Sequence, residues 1–151
     1  VRTLFRAYAE CTDAPVCFEG FDAEVAGLPG EYARPRRRLL LAADAQGRAL
    51  GCVALRRLAA DAVEMCRLFV RPEARGRGLG RALAQAAIAA ARQAGYRQLR
   101  LSTLPSMTAA QALYRSLGLA ELGRGAAGVD QRQLDLAAAS PKLAAARQTG
   151  Y

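Results

Sequence analysis

The chain has 151 residues, 52% of them apolar and 23% charged, with a formal charge of +9 and no histidine. That length supports one domain around one substantial core, and the apolar share excludes disorder. The lack of histidine excludes Ser-His-Asp and Cys-His hydrolase chemistry from this chain alone, so a general base has to be Asp, Glu, Tyr, Cys or a water held by one of them.

Taken in chain order, residues 1 to about 10 and 21 to 28 read as helices with mixed apolar faces. Pro29-Gly30 breaks the second helix and Pro35 ends that region. Arg38 to Ala43 is a short apolar strand, Asp44-Ala45-Gln46-Gly47 a turn, and Ala49 to Arg56 the return strand of a hairpin. Ala59-Ala60-Asp61 turns again, and Ala62 to Arg71 is a third strand closed by Pro72. The pattern then changes period. Gly78 to Ala94 is helical, with Leu79, Leu83, Ala86 and Ala90 on one stripe, and Gly95 ends it. Gln98 to Thr103 is a strand reached through a helical crossover, so it should run parallel to the third. Ser106 is placed to cap a helix from Met107 to Leu117, Gly118 ends that helix, and Gln131 to Leu136 is a last strand. The result is a single α/β (α+β) domain over residues 1–137 with a mixed sheet. Residues 138–151 form a weakly helical, poorly ordered tail.

The four cysteines, Cys11, Cys17, Cys52 and Cys66, form no C-x-x-C pair, so no metal site is expected and buried thiols are the plain reading, with room for one disulfide. No apolar run is long enough to cross a bilayer, and Val1-Arg2-Thr3-Leu4 lacks the apolar core of a signal peptide. The expected location is therefore the cytoplasm, away from membranes. Charge is unevenly spread. Glu10, Asp13, Glu19, Asp22, Glu24 and Glu31 lie at the front, whereas Arg67 to Arg100 holds eight arginines against Glu73 alone. A basic middle points to a polyanionic ligand, either nucleic acid or a phosphorylated cofactor.

The strongest local signal is Val70-Arg71-Pro72-Glu73-Ala74-Arg75-Gly76-Arg77-Gly78-Leu79-Gly80-Arg81, a strand running into a glycine-rich turn that opens a helix. Glycines let backbone approach a phosphate, and the first helical turn offers unpaired N–H groups and the positive end of the dipole. Arg75, Arg77 and Arg81 add charge at the rim. The P-loop pattern is absent, since no lysine follows the glycines. The dinucleotide pattern G-x-G-x-x-G also fails, because the spacing is Gly76-x-Gly78-x-Gly80.

Arg75-x-x-Gly78-x-Gly80 resembles the coenzyme loop [QR]-x-x-G-x-[GA] of the GNAT superfamily of N-acetyltransferases. Glu64 to Pro72 resembles that family's fourth strand, and Ala109-Ala110-Gln111-Ala112-Leu113-Tyr114-Arg115-Ser116-Leu117-Gly118-Leu119 its A-x-x-L-Y-x-x-x-G-F element. The three lie in the family's order, within residues 38 to 122. The resemblance implies the GNAT fold, a mixed and mostly antiparallel sheet flanked by helices. The sheet splays between its fourth and fifth strands, here Ala62–Arg71 and Gln98–Thr103. It implies acetyl-CoA as cosubstrate and no metal. The pantetheine arm would bond to backbone of Leu68, Phe69 and Val70, and the pyrophosphate would sit on Arg75, Gly76, Arg77, Gly78, Leu79, Gly80 and Arg81. Thr103 or Ser102 would supply part of the polar contact where many members have asparagine.

Acetyl transfer to an amine needs a neutral nucleophile, a donor for the oxyanion and a proton for a thiolate whose free pKa is about 8.5. The family places the tyrosine corresponding to Tyr114 with its hydroxyl at the thioester sulfur, as the acid; the alternative is a core tyrosine. Glu64 is the candidate base through a water, on a strand face expected to carry Glu64, Cys66, Leu68 and Val70; the alternative is an acid paired with an arginine. The oxyanion donor is expected to be a backbone N–H near Leu68 or Phe69. The acceptor would be the primary amine of a small molecule, with peptide and protein amines left open, chosen by residues near Glu19 to Arg36 and Gly123 to Arg132. The acidic front favours a cationic amine. Dimers are common in the fold, so a homodimer is also left open. Two rival readings stand beside this one: an acyl-CoA sensor of the same fold without catalysis, and an arginine-rich nucleic-acid-binding module. Against the module, no recognition motif is visible.

Overall fold

The computed structural model of the chain describes residues 2–10, 21–28, 38–125 and 128–137. Helices α1 (Arg2–Glu10) and α2 (Phe21–Ala26) come first. They are followed by strands β1 (Arg38–Ala43), β2 (Ala49–Arg57) and β3 (Ala62–Val70), then α3 (Leu79–Gln93), β4 (Gln98–Thr103), α4 (Thr108–Ser116), β5 (Ala120–Arg124) and β6 (Asp130–Asp135). The six strands form one sheet in the order β1-β2-β3-β4-β6-β5. Only β3 and β4 are parallel, and α3 supplies the crossover that such a pair requires. Pro29-Gly30, Pro35 and the tail 138–151 lie outside the described residues.

Local chemistry accounts for the meander. Asp44 Oδ1 accepts the N–H groups of Gln46 (3.0 Å) and Arg48 (2.8 Å), which closes the β1–β2 turn. Two cores cover the two sheet faces. One packs α3, Tyr114 and Leu119 against Val53, Leu55, Val63, Met65, Leu99 and Leu101; the other packs α1 and α2 against Cys52, Ala54 and Phe69. Fully burying side chains such as Leu83 and Ile88 stabilises the fold by about 1.5–3 kcal/mol each. Ala84, Ala87 and Ala91 are wholly buried beside them, so the α3 backbone lies close to the sheet.

Three expectations change in detail. The buried stripe of α3 is Leu83, Ala84, Ala87, Ile88, Ala90 and Ala91, while Ala86 faces solvent. The short side chains make the apolar face of this helix ambiguous until the sheet selects it. Ser106 does not cap α4: the cap residue is Met107, and no side chain bonds to the helix start. Strand β5 was not foreseen, since Ala-Glu-Leu-Gly-Arg is exposed along its whole length and carries no alternating pattern.

The feature that positions the site is an irregularity in β3. Cys52 pairs with Phe69 and Ala54 with Cys66, so one residue of β2, Val53, stands opposite two of β3, Arg67 and Leu68. This is a β-bulge. Arg67 adopts φ 54°, a left-handed conformation uncommon for a residue with a Cβ. The extra residue resets the alternation of the strand. Cys66 and Phe69 pack toward α1 and α2, whereas Val63, Met65, Leu68 and Val70 pack toward α3. The expected single face of Glu64, Cys66, Leu68 and Val70 is therefore corrected: the bulge puts Leu68 and Val70 on the opposite face from Cys66. On its other edge β3 meets β4 only from Ala62 to Glu64, opposite Gln98 to Arg100. Beyond that point the strands diverge while β4 stays paired to β6 as far as Thr103.

Candidate active site

The divergence of β3 and β4 opens two cavities that share walls. The first, about 280 Å³, is lined by Glu24, Arg56, Glu64, Cys66, Arg67 and Thr103, among others. The second, about 260 Å³, runs between the end of β3 (Leu68, Phe69, Val70), Arg75 and the face of α4 carrying Ala109, Ala110 and Leu113. Tyr8, Leu68, Met107 and Tyr114 line both. A group bound in one cavity therefore meets a group bound in the other at these four side chains.

Tyr114 is 7% exposed, and its hydroxyl makes no hydrogen bond among the described residues. Burial pushes its pKa up from the ordinary tyrosine value, with smaller upward contributions from Tyr8 and Cys66. It is thus both a core residue and the joint of the two cavities. Glu64 stands opposite Arg56 in the β2–β3 register, and its Oε2 accepts Arg56 Nε at 3.0 Å and Nη2 at 2.5 Å. Its other oxygen, Oε1, has no hydrogen-bond partner among the described residues. Both alternatives for Glu64 therefore coexist: it is an ion-paired acid, and it lines the cavity.

Leu68, Phe69, Val70 and Arg75, assigned to the coenzyme, line the second cavity. Thr103, assigned to the same set, lines the first cavity instead, where its Oγ1 donates to Met107 Sδ at 3.9 Å. Gly76 and Gly78 take φ 75° and 77°, and a Cβ built on either meets nothing within 4 Å. Alternating left-handed residues before a helix turn successive N–H groups toward one point, and no side chain caps α3. This open cradle of backbone donors fits a pyrophosphate. Arg75 Nε donates to the Val70 carbonyl at 3.0 Å, and its guanidinium stands 5.9 Å from the centroid of the Phe69 ring. Arg81 Nη2 donates to Ser116 Oγ at 2.8 Å, tying α3 to α4 at the loop. Arg77 is exposed and unpaired among the described residues. Leu79 and Gly80 are half-buried in the first turn of α3.

Much of the basic middle is occupied inside the fold. Arg71 Nε donates to the Ala49 carbonyl, Arg92 Nε to the Leu136 carbonyl and Arg100 to the side chains of Gln133 and Gln98. Arg67 makes a two-pronged ion pair with Glu24 of α2, with Nε–Oε1 at 3.0 Å and Nη2–Oε2 at 2.6 Å. The two side chains are 11% and 13% exposed. Removing one partner of such a buried pair costs about 3–5 kcal/mol. The guanidinium also lies 5.9 Å from the Tyr8 ring and 5.3 Å from the Phe21 ring. Tyr8 meets Phe69 edge-on, at 6.0 Å and 68°.

Tyr8, Glu24, Arg56, Arg67 and Met107 are site residues that sequence reasoning did not single out. Arg67 alone left a cue, a charge interrupting the apolar run from Cys66 to Val70. Cys52 and Cys66 are thiols, and Cys11 and Cys17 lie outside the described residues. The Cys52 Sγ–H donates to the Arg67 carbonyl at 3.4 Å, and burial pushes that thiol up to about 12. Among the described residues no cluster of three or more His, Cys, Asp or Glu is placed to hold a metal ion. No described helix is long and apolar enough to cross a membrane.

A splayed sheet, a bulged strand at the splay and a backbone cradle before the crossover helix thus surround the two cavities. The sequence matches the Acetyltransferase (GNAT) family over residues 2–119, and the chain belongs to that family. It is 36% identical over 118 residues to an uncharacterized N-acetyltransferase of Schizosaccharomyces pombe, covering 78% of this chain and 72% of that protein. It is 30% identical over 123 residues to the human N-acetylaspartate synthetase, covering 81% of this chain but only 38% of that longer protein. A Salmonella typhimurium structure solved with its cofactor acetyl-CoA shares the fold, with a TM-score of 0.61 and 22% identity over 69% of this chain and 67% of that one. As a member of that family the protein is an acyltransferase whose cosubstrate is acetyl-CoA.

Proposed function

We propose that the chain transfers the acetyl group of acetyl-CoA directly to the primary amine of a small molecule, within a single domain spanning residues 1–137. The observation that carries this reading is the meeting of the two cavities at Tyr114 and Leu68. The donor would enter along Leu68, Phe69 and Val70, with its pyrophosphate on the cradle from Arg75 to Arg81. The amine would enter from the first cavity, beside Glu64 and Thr103. A volume of about 280 Å³, just under the roughly 300 Å³ lower bound of small-molecule pockets, suits a small acceptor better than a folded one. The name of the human relative points the same way.

Each residue has a definable task. Glu64 Oε1 holds the water that takes the proton from the attacking amine, while Arg56 fixes the carboxylate through Oε2. The backbone N–H of Leu68 or Phe69, at the bulge, meets the charge that develops on the thioester oxygen. Tyr114 is protonated at neutral pH, and burial raises its pKa further. Full transfer of that proton to a thiolate with a pKa of about 8.5 is uphill, so Tyr114 acts chiefly by donating a hydrogen bond to the departing sulfur. The reading puts the enzyme in the cytoplasm, where acetyl-CoA is used, and allows a homodimer. The test is mass spectrometry of products after incubation with acetyl-CoA and a panel of small amines. An N-acetylated small molecule is expected. Acetylation of protein amines with none of the small ones would overturn the acceptor class.

A further inference from the structure

The bulge at Arg67 and Leu68, opposite Val53, is not held by β-pairing, because the register passes over it. Its first residue, Arg67, has a φ of 54° where glycine would be the undemanding choice, and a left-handed arginine persists only where its surroundings hold it. Those surroundings lie on the α1 and α2 side of the sheet. Cys52 Sγ donates to the Arg67 carbonyl at 3.4 Å. The guanidinium is gripped by both carboxylate oxygens of Glu24, 43 positions away, and lies against Tyr8 and Phe21. Arg67 and Glu24 are also two walls of the first cavity.

We propose that Glu24 and Arg67 are a positioning pair: through the bidentate ion pair, α2 holds the β3 bulge in the geometry that points the Leu68 amide at the thioester. The pair acts through the backbone and touches neither reacting atom. This rests on the reading of the bulge as the thioester site. It adds that the helix on the acceptor side sets the catalytic geometry of the donor side. A bidentate pair suits the task because two parallel N–H···O bonds fix orientation as well as distance, which a lysine cannot do.

Acetyl-transfer kinetics of Glu24→Gln, Arg67→Met and the double variant test this, with acetyl-CoA affinity measured by calorimetry on each folded protein. Both single variants are expected to lose at least tenfold in kcat while acetyl-CoA Kd and acceptor KM move less than threefold. The double variant should be no slower than the worse single one. Arg67→Gly, which keeps the left-handed backbone without strain, should not restore kcat. A kcat within twofold of wild type for Glu24→Gln would overturn the proposal, as would a raised acceptor KM at unchanged kcat, which would make Glu24 an acceptor contact. If Arg67→Met does not fold, Glu24→Gln carries the test alone. Failure of the functional reading shows separately, as absence of turnover by the wild type. In that case the shift of the Leu68 amide resonance on adding acetyl-CoA decides: loss of that shift in Glu24→Gln supports the pair, and an unchanged shift overturns it.

Discussion

Apart from Tyr8, one cavity is walled by two short stretches of chain, one from Leu68 to Arg75 and one from Met107 to Tyr114. The other gathers Tyr8, Glu24, Arg56, Glu64, Ser102 and Thr103 from α1, α2 and three strands. The first presents mainly backbone and apolar side chains to its contents, and the cradle at its mouth is built from glycine amides. The second presents charges, already matched against one another as Arg56 with Glu64 and Arg67 with Glu24. Backbone recognition depends on local conformation and is carried by a short motif. Side-chain recognition depends on which distant elements the fold brings together. That contrast predicts that variants on the donor side act on binding, and variants at the joint or on the acceptor side act on rate.

The largest effect is expected at the cradle. Gly78 has a positive φ, so Gly78→Val strains the loop and puts a branched side chain among the amides. Calorimetry should show acetyl-CoA affinity falling at least a hundredfold; retained affinity would mean that the loop is only a turn. At the joint, Tyr114→Phe removes one hydroxyl and no packing. Its kcat should fall at least tenfold with acetyl-CoA Kd unchanged, and an unchanged rate would remove Tyr114 from its role. On the acceptor side, Glu64→Gln should lower kcat severalfold at neutral pH, with recovery as pH rises and more of the amine is already neutral. A flat loss at every pH would leave Glu64 as a strand-pairing acid alone.

The smallest effect is on stability in alkali. Folding raises the pKa of both Tyr114 and Cys52, so above the unfolded values the unfolded chain sheds protons that the folded chain retains. Stability should hold up to the unfolded thiol and phenol range, about pH 8.5–10, and fall as pH rises beyond it. Denaturant midpoints measured from pH 8 to 11 should decline less steeply for Tyr114→Phe than for wild type, and equal slopes would contradict the burial of that hydroxyl.

The same contrast explains what could be read from the amino-acid order. Arg75-x-x-Gly78-x-Gly80 between an apolar strand and an alanine-rich helix marked the glycine turn, and Tyr114 came only from the resemblance of Ala109 to Leu119 to the family's element. The three-strand meander, the crossover and the parallel pair were legible because their turns and periods are local. Strand β5 was not, since an exposed edge needs no apolar alternation. The bulge was not, because one extra residue inside a strand leaves the composition unchanged while switching the face of every residue after it. Glu24 could be weighed only as one of the acids at the front of the chain, and Tyr8 only as part of a helix. Their meeting with Arg67 is a contact across 43 and 59 positions respectively, which no spacing encodes.

The central claim is that the two cavities bring acetyl-CoA and an amine together at Tyr114. The most direct test is a thiol-release assay on a panel of small primary amines, run beside thermal shift with acetyl-CoA, for wild type and Tyr114→Phe. The account predicts stabilisation of both proteins by acetyl-CoA, amine-dependent thiol release by the wild type and at least tenfold slower release by the variant. Stabilisation of the wild type with no release on any amine would contradict it and make the protein an acyl-CoA sensor.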